Sequence, residues 1–196
     1  MTSSPRLVAS PDAPITRPTI RPAIPTDAAR FPSIERSAGT LFEQWPDLAW
    51  IAGAPDRTVA QYQDFVSQGL SWCAVASAGR TIGFLSAGLE GREIHVWELA
   101  VHRSHQRQSI GQALLATAIA SARARGLAAM TLTTFLDVPW NAPFYSRHGF
   151  VVVSTDALSP RLRQLLDDEV AQGLPADRRC AMRLSLIASD SGNSGT

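Results

Sequence analysis

The sequence has little of what extracellular, membrane and metal-dependent proteins rely on. Its 196 residues include only two cysteines, Cys73 and Cys180, and the apolar runs around both indicate buried strands. Two thiols cannot build a disulfide framework, so we expect reduced core cysteines and a cytoplasmic protein. No apolar run approaches the roughly 18 residues that a membrane helix needs. Residues 1–17 also lack the apolar centre of a signal peptide.

Charge of either sign is equally scarce. A formal net charge of +1 and a charged content of 18% give no electrostatic reason to expect nucleic acid or a membrane as a partner. His102, His105 and His148 have no cysteine or aspartate at the spacing of metal ligands, so the sequence predicts no metal site.

Apolar residues recur along most of the chain, in some segments with the period of a strand and in others with the period of a helix. Short turns containing glycine separate three strand-like runs, which indicates antiparallel hairpins. The predicted strands cover residues 18–24, 70–77, 81–90, 94–102, 127–135, 150–155 and 178–186. The predicted helical segments cover residues 25–42, with Thr26 as N-cap, then 56–69, 109–126, 140–149 (as a short helix or a turn) and 159–175. This order predicts an α/β fold with one mixed sheet, between a disordered leader at 1–17 and a disordered tail at 189–196.

The stretch HQRQSIGQAL, residues 105–114, begins with polar residues and continues as an apolar-periodic helix. The start of a helix presents unpaired N–H groups and a partial positive charge, which favours an anion. Gly111 lets the backbone approach a ligand closely, and Arg107 adds a charged donor. Neither the Walker A nor the dinucleotide glycine pattern is present. Ser109 would also cap any ordinary helix, so this segment alone leaves a purely structural interpretation open.

Glu98 interrupts the apolar run IHVWELAV, residues 94–101. One interpretation is a solvated glutamate on the exposed face of a half-buried strand. The other is a base in a cleft, with a pKa raised by its apolar surroundings. Strand alternation predicts His95 and Trp97 on the opposite face, with His95 as a surface or packed histidine.

Two motifs in this order resemble those of the GCN5-related N-acetyltransferases. Three segments carry the resemblance. In chain order they are the run ELAVHRSHQRQSIGQALL, the predicted strand MTLTTF and the run NAPFYSRHGF. The family's phosphate loop reads Gln/Arg-x-x-Gly-x-Gly/Ala and corresponds to residues 106–111, with Ser109 replacing its first glycine. The family's Tyr-x-x-x-Gly-Phe signature corresponds to Tyr145, Gly149 and Phe150. The order of strands and helices fits this family as a single domain over residues 18–188.

The resemblance implies acetyl-CoA as donor, a primary amine as acceptor, and a sheet of six to seven strands splayed between strands 4 and 5. Coenzyme A would enter that gap. The residues implied in its binding are Leu99, Ala100, Val101, Gln106, Arg107, Gln108, Ser109, Ile110, Gly111, Gln112 and Asn141. A serine at position 109 is expected to need a negative φ or a capping hydroxyl.

The resemblance also implies direct attack of the amine in a ternary complex. Glu98 is the candidate base, acting directly or through water, and Tyr145 the candidate acid for the leaving thiolate. Tyr145 could instead be a packed aromatic beside Phe144. An N–H near Leu99 or Ala100 is expected to polarise the acetyl carbonyl.

The acceptor side is less defined by the sequence. Glu43, Trp45, Asp47 and Trp50 lie on the connection between the first two helices. They could receive a cationic amine, or the tryptophans could fill a core beneath a loop. Trp140 could line the cleft beside Asn141. We expect a small-molecule amine as acceptor, in a protein that could form a homodimer. A protein or peptide amine, or a non-catalytic acyl-CoA sensor, are the alternatives.

Overall fold

The computed structural model describes residues 17–77 and 79–187; apart from Arg17, the predicted leader and tail lie outside the described residues. A seven-stranded sheet with the order β1-β2-β3-β4-β5-β7-β6 forms the centre of the fold. All neighbouring strands are antiparallel except β4 and β5, which are parallel. The predicted mixed α/β fold is therefore confirmed. Its strands are β1 Thr19–Pro22, β2 Ser71–Val75, β3 Thr81–Glu90, β4 Glu93–Val101, β5 Ala129–Phe135, β6 Val151–Val152 and β7 Arg179–Ser185.

Helices cover both faces of the sheet. They are α1 Phe31–Gly39, α2 Val59–Ser67, α3 Ile110–Ala124, α4 Ala142–Ser146 and α5 Pro160–Ala171. Each α-helix coincides with one of the predicted helical segments. None of the helices in the described part of the chain is long and apolar enough to cross a membrane.

The predicted N-cap at Thr26 is wrong. Its backbone is already helical and its side chain accepts no capping bond, so the chain enters α1 through a short 3-10 turn, Asp27–Arg30. The Asp27 carboxylate accepts hydrogen bonds from the backbone N–H of Ile24 at 2.9 Å and from the guanidinium of Arg21 at 2.7 Å. The aspartate therefore organises this turn.

The strands β4 and β5 separate soon after they meet. Their parallel pairing covers only Glu93–His95 with Ala129–Thr131. Beyond these residues β4 continues along β3 and β5 continues along β7. An opening therefore lies between the second halves of β4 and β5, as predicted for strands 4 and 5.

A β-bulge at Trp97 changes the alternation of β4. The register with β3 passes from Val96 to Glu98 and leaves Trp97 as an extra residue. Because one inserted residue reverses the later alternation, His95 and Glu98 share a face of the sheet although they are three positions apart. The prediction of opposite faces is wrong for this reason.

Trp97 lies on the same face as these two residues. Its ring centroid is 4.6 Å from that of His95 and 6.0 Å from that of Phe65 on α2. Gly88 on β3 makes room for the indole, because a Cβ there would lie 2.8 Å from Nε1 of Trp97. Glycine is thus required at position 88 by the tryptophan in the bulge.

The core is divided by the sheet. On one face α3 and α4 pack against the sheet with Leu114, Leu132 and Tyr145 among the buried residues. On the other face Phe31 of α1 stacks on Phe84 of β3 at 4.1 Å between ring centroids. The opening between β4 and β5 therefore connects two differently built faces.

Candidate active site

Glu98 stands at the opening, on the face of the sheet that α1 and α2 cover. Its side chain is 26% exposed. The surrounding protein nevertheless removes enough water that burial, reinforced by the negative charge of Glu35, raises the pKa of Glu98 to about 7. A carboxyl group with a pKa near the operating pH can accept a proton as a general base. The cleft interpretation of this residue therefore fits its surroundings.

A second carboxylate, Glu35 of α1, is linked to Glu98 through Arg57. The Nη1 atom of Arg57 lies 3.6 Å from Oε2 of Glu98 and 3.8 Å from Oε1 of Glu35. Tyr62 of α2 donates its hydroxyl hydrogen to Glu35. Burial raises the pKa of Glu35, and the bond from Tyr62 and the charge of Arg57 oppose that rise. Two carboxylates so placed titrate as a coupled group.

The sequence alone does not predict Glu35, Arg57 or Tyr62 as members of the site. They belong to α1, the segment before α2, and α2 itself, which only the fold brings together. The one available signal is the partly buried charge of Glu98, which requires a cation nearby.

His95 lies at the point where β4 and β5 part. Its Nδ1 is 3.0 Å from Oγ1 of Thr131, and the residue is 1% exposed. Burial, with the positive charges of Arg161 and Arg57, lowers the pKa of His95 to about 3. It is therefore a neutral, packed histidine on the floor of the acceptor side.

Tyr145 reaches the same opening from the other face. It belongs to α4 and packs against Phe144 and Phe150, at 5.1 and 5.6 Å between ring centroids. Burial, and then the negative charge of Glu98, raise the pKa of Tyr145, so its hydroxyl keeps its proton. A protonated phenol at this position is compatible with the predicted acid role as well as with packing against Phe144 and Phe150.

The free edge of β4 lies beyond the bulge. His102 donates to the carbonyl of Ile82 on β3 at 2.9 Å. By antiparallel alternation Ala100 also bonds to β3, whereas the backbone groups of Leu99 and Val101 point into the opening. The backbone groups of Ala100 are thus used within the sheet, so of the two candidates for the acetyl carbonyl, Leu99 and Ala100, only Leu99 has an N–H that points into the opening.

The loop before α3 gathers unpaired donors. Six successive backbone N–H groups donate no hydrogen bond to another described residue. They belong to Arg107, Gln108, Ser109, Ile110, Gly111 and Gln112. The side chain of Gln106 donates to the carbonyl of Val101 at 3.0 Å and fastens the loop to the end of β4. The N–H groups at a helix start, held in this way, can bind a pyrophosphate.

Ser109 adopts a backbone that the sequence does not predict. Its φ is +58° and its ψ is 15°, and its side chain makes no capping bond. Both expected accommodations of a serine, a negative φ and a capping hydroxyl, are therefore wrong. Arg107 also has a positive φ, of 59°. Left-handed residues in such a turn direct successive N–H groups toward one point, which explains why the loop accepts their strain.

Gly111 is not required by the packing of the protein. A Cβ there would meet its nearest neighbours, Val101 and Phe144, at 3.9 and 4.0 Å, which is ordinary contact. The missing side chain therefore leaves room on the side of α3 where a ligand would approach the N–H groups.

Asn141 precedes α4 and carries an unused donor. Its Oδ1 accepts from the hydroxyl of Thr134 on β5 at 2.8 Å. Its Nδ2 is buried without a hydrogen-bond partner in the described part of the chain. An unpartnered amide is costly unless a ligand supplies the acceptor, so Asn141 fits the role of a coenzyme A contact.

The tryptophan-rich connection between α1 and α2 is a core. Trp45 packs edge-on against Trp140 at 6.4 Å, in a cluster centred on Leu48 and Phe135. Asp47 forms an ion pair with Arg178. The structure thus agrees with the packing interpretation of Trp45, and it places Trp140 in the same cluster.

Neither of the neighbouring residues Glu43 and Trp50 forms an ion pair or a side-chain hydrogen bond with Glu98 in the described part of the chain. Trp50 is 45% exposed. Its ring lies near Gly173, beyond the end of α5, and would be 3.9 Å from a Cβ atom placed on that glycine. No ion pair or side-chain hydrogen bond of Glu43 occurs among the described residues. The described residues also contain no group of three or more His, Cys, Asp or Glu side chains placed to hold a metal ion.

Comparison with known proteins identifies this arrangement. The family model described as "Acetyltransferase (GNAT) family" matches residues 39–150. The chain is similar to the ribosomal-protein-S18-alanine N-acetyltransferase of Escherichia coli, with 19% identity and a TM-score of 0.60 over 89% of this chain and 97% of that one.

Two further solved structures carry ligands. One is the PaiA N-acetyltransferase of Thermoplasma acidophilum in complex with coenzyme A, with 14% identity and a TM-score of 0.62 over 87% of this chain and 99% of that one. The other is the N-acetylglutamate synthase of Neisseria gonorrhoeae with coenzyme A and N-acetyl-glutamate, with 19% identity and a TM-score of 0.62 over 88% of this chain and 36% of that one. At these identities the likeness shows a shared fold.

Proposed function

This chain belongs to the GNAT acetyltransferase family, and from that premise we propose that it transfers the acetyl group of acetyl-CoA to a primary amine of a small molecule. The observation that carries the proposal is the carboxyl of Glu98, with a pKa raised to about 7, at the opening between β4 and β5. A base of this kind is needed because an ammonium ion has no lone pair with which to attack.

The binding of coenzyme A is assigned to the face that carries α3 and α4. The N–H groups from Arg107 to Gln112 would hold the pyrophosphate. The backbone of Leu99 and the N–H of Val101, whose carbonyl is bonded to Gln106, would hold the pantetheine arm like an added strand. The unpartnered Nδ2 of Asn141 offers one more donor. When bound, acetyl-CoA supplies the thioester carbonyl that the amine attacks.

Each nearby side chain has one task in this scheme. Glu98 removes a proton from the acceptor ammonium, directly or through water. The N–H of Leu99 points into the opening, where it also stabilises the charged form of Glu98, and it is assigned to the carbonyl oxygen of the acyl group when acetyl-CoA is bound. Tyr145, whose hydroxyl keeps its proton, protonates the departing thiolate. Both substrates must be present together, since the two groups act from opposite faces of the sheet.

Steady-state assays of the full chain test the proposal. A panel of small primary amines is supplied with acetyl-CoA, and free thiol and acetylated product are measured together. We expect stoichiometric thiol and product with at least one small amine. Turnover of peptides alone would contradict the small-molecule acceptor. Tight binding of acetyl-CoA with no acceptor turned over would favour a sensor instead.

A further inference from the structure

We propose that the acceptor amine also carries a carboxylate, and that Arg161 and Arg57 bind this carboxylate beside Trp97. The inference rests on the proposed function, because it concerns the second substrate of the same site. It would make the acceptor an amino acid or a similar zwitterion.

Two guanidinium groups from different parts of the chain meet at the bulge of β4. The Cζ atom of Arg161, in the first turn of α5, lies 5.6 Å from the centroid of the Trp97 ring. The Cζ atom of Arg57, just before α2, lies 6.0 Å from the same centroid. Trp97 is the residue before Glu98, so both cations stand one residue from the proposed base.

The donors of Arg161 are only partly used. Its Nε lies 3.1 Å from Oε2 of Glu90, a carboxylate that is 38% exposed. Its Nη2 is buried and has no hydrogen-bond partner in the described ranges. Burying a guanidinium donor without an acceptor is unfavourable, and a carboxylate is the acceptor whose geometry suits it best. The side chain as a whole is 31% exposed, so a ligand can reach the guanidinium, and a small shift of the side chain is needed to present the buried Nη2 to it.

Arg57 also has capacity for another anion. Its distances of 3.6 and 3.8 Å to Glu98 and Glu35 exceed those of charge-assisted hydrogen bonds. The guanidinium presents five N–H donors in total, and the two carboxylates approach the same nitrogen, Nη1. Tyr62 also shares a hydrogen bond with this guanidinium, so the contribution of Arg57 to a carboxylate held by Arg161 is chiefly its positive charge.

The charges follow the order that a zwitterion needs. Glu98 and Glu35 supply the negative charge that suits an ammonium group, Arg57 pairs with both of them, and Arg161, whose ion pair is with Glu90, supplies the positive end. His95, which packs against Trp97, is neutral and adds no competing charge. An amine without a carboxylate would leave the guanidinium donors without this partner.

Matched acceptors that differ by one carboxylate test the inference. The pairs are L-phenylalanine with phenethylamine, L-leucine with isoamylamine, and β-alanine with ethylamine. For the best pair we expect the full chain to favour the carboxylate-bearing amine by about tenfold or more in kcat/KM, since a charged hydrogen bond is worth at least that much. Arg161→Gln is expected to remove most of this preference by raising KM, and Arg161→Lys to keep part of it.

Two control variants separate binding from packing. Arg163→Gln changes another cation of α5, which donates to the carbonyl of Thr155, and should leave the preference intact. Glu90→Gln removes the ion-pair partner of Arg161 but leaves the positive charge of Arg161 in place. This variant should also preserve the preference for the carboxylate-bearing amine. Equal kcat/KM values for the two members of every pair would overturn the inference. So would an Arg161→Gln variant whose kcat/KM falls by the same factor for both members of a pair. Either result would leave the proposed acetyltransferase function intact. Failure to acetylate any of these amines would overturn the proposed function along with the inference.

Discussion

The guanidinium of Arg57 lies 3.6 Å from the carboxylate of Glu98, nearer than any other cation named at the site. This contact lowers the pKa of Glu98, whereas burial and the charge of Glu35 raise it, with a net value of about 7. Burial thus sets the protonation state of the base first, and the charges of Glu35 on α1 and Arg57 before α2 adjust it in opposite directions.

The first prediction concerns pH. A base must be deprotonated to act, so kcat/KM should be low below pH 7 and rise as the pH passes through the pKa of Glu98. Glu35→Gln removes a negative charge and should move this rise to lower pH, whereas Arg57→Gln should move it to higher pH. The measurement is kcat/KM against pH at fixed ionic strength. Shifts in the same direction in both variants would contradict the coupling.

The second prediction concerns Glu98 itself. Glu98→Gln keeps the shape of the side chain but removes the base, so kcat/KM should fall by about 10²–10⁴-fold. Coenzyme A affinity, measured by calorimetry, should change little because the carboxylate faces the acceptor side. Glu93→Gln at the start of the same strand is the matched control, and it should retain activity. An active Glu98→Gln enzyme would remove this residue from the mechanism.

Tyr145 offers a third test. Tyr145→Phe keeps the aromatic packing against Phe144 and Phe150 and removes only the hydroxyl. We expect kcat to fall by about 10²-fold or more, because the thiolate loses its proton donor. Thermal unfolding should show a nearly unchanged Tm. Full activity in this variant would reduce the tyrosine to a packing residue.

The fourth prediction uses the positive φ of Ser109. Glycine adopts this backbone without strain, so Ser109→Gly relieves about 1–2 kcal/mol of left-handed strain. This gain exceeds the roughly 0.4–1 kcal/mol lost to the greater freedom of the unfolded chain, so the fold should be slightly stabilised and coenzyme A affinity kept or improved. Ser109→Ala removes the same hydroxyl but not the strain, and should resemble the natural protein. Urea unfolding and calorimetry check both effects. A large loss of affinity in both variants would show that the hydroxyl itself holds the ligand.

Gly111 provides the fifth prediction, in which stability and binding move apart. The packing leaves room for a methyl group, and alanine favours a helix by about 1 kcal/mol over glycine. Gly111→Ala should therefore be at least as stable as the natural protein. It should bind coenzyme A more weakly, because the new Cβ lies where the phosphates approach the N–H groups. Undiminished affinity would place the pyrophosphate elsewhere.

Much of the fold could be predicted because hydrophobic period and turn residues act locally. The helix of residues 110–124 and its end near Gly126, which has a φ of +68°, follow from a repeated apolar face and a glycine. The candidate base Glu98 could also be predicted from the sequence, because a single carboxylate within an apolar strand is unfavourable unless it has a partner or a function.

The remaining features could not be predicted, for two physical reasons. The bulge at Trp97 depends on its fit over Gly88, a contact between strands that periodicity within one strand cannot show. The cluster of Glu35, Arg57 and Tyr62 depends on how two helices pack over the sheet. The left-handed backbone of Ser109 reflects a local strain that no residue preference indicates.

The bulge also has a consequence for how this strand can change in evolution. The side chains of residues 93–96 alternate between the two faces of the sheet, and those of residues 98–101 do so with the order reversed by the bulge. A sequence alignment that omits position 97 would therefore place the counterpart of Glu98 on the wrong face. Any side chain at position 88 would collide with the indole, whereas a smaller residue at position 97 would leave a hole. Gly88 and Trp97 are therefore expected to be inherited together, as one unit that sets the direction of the base.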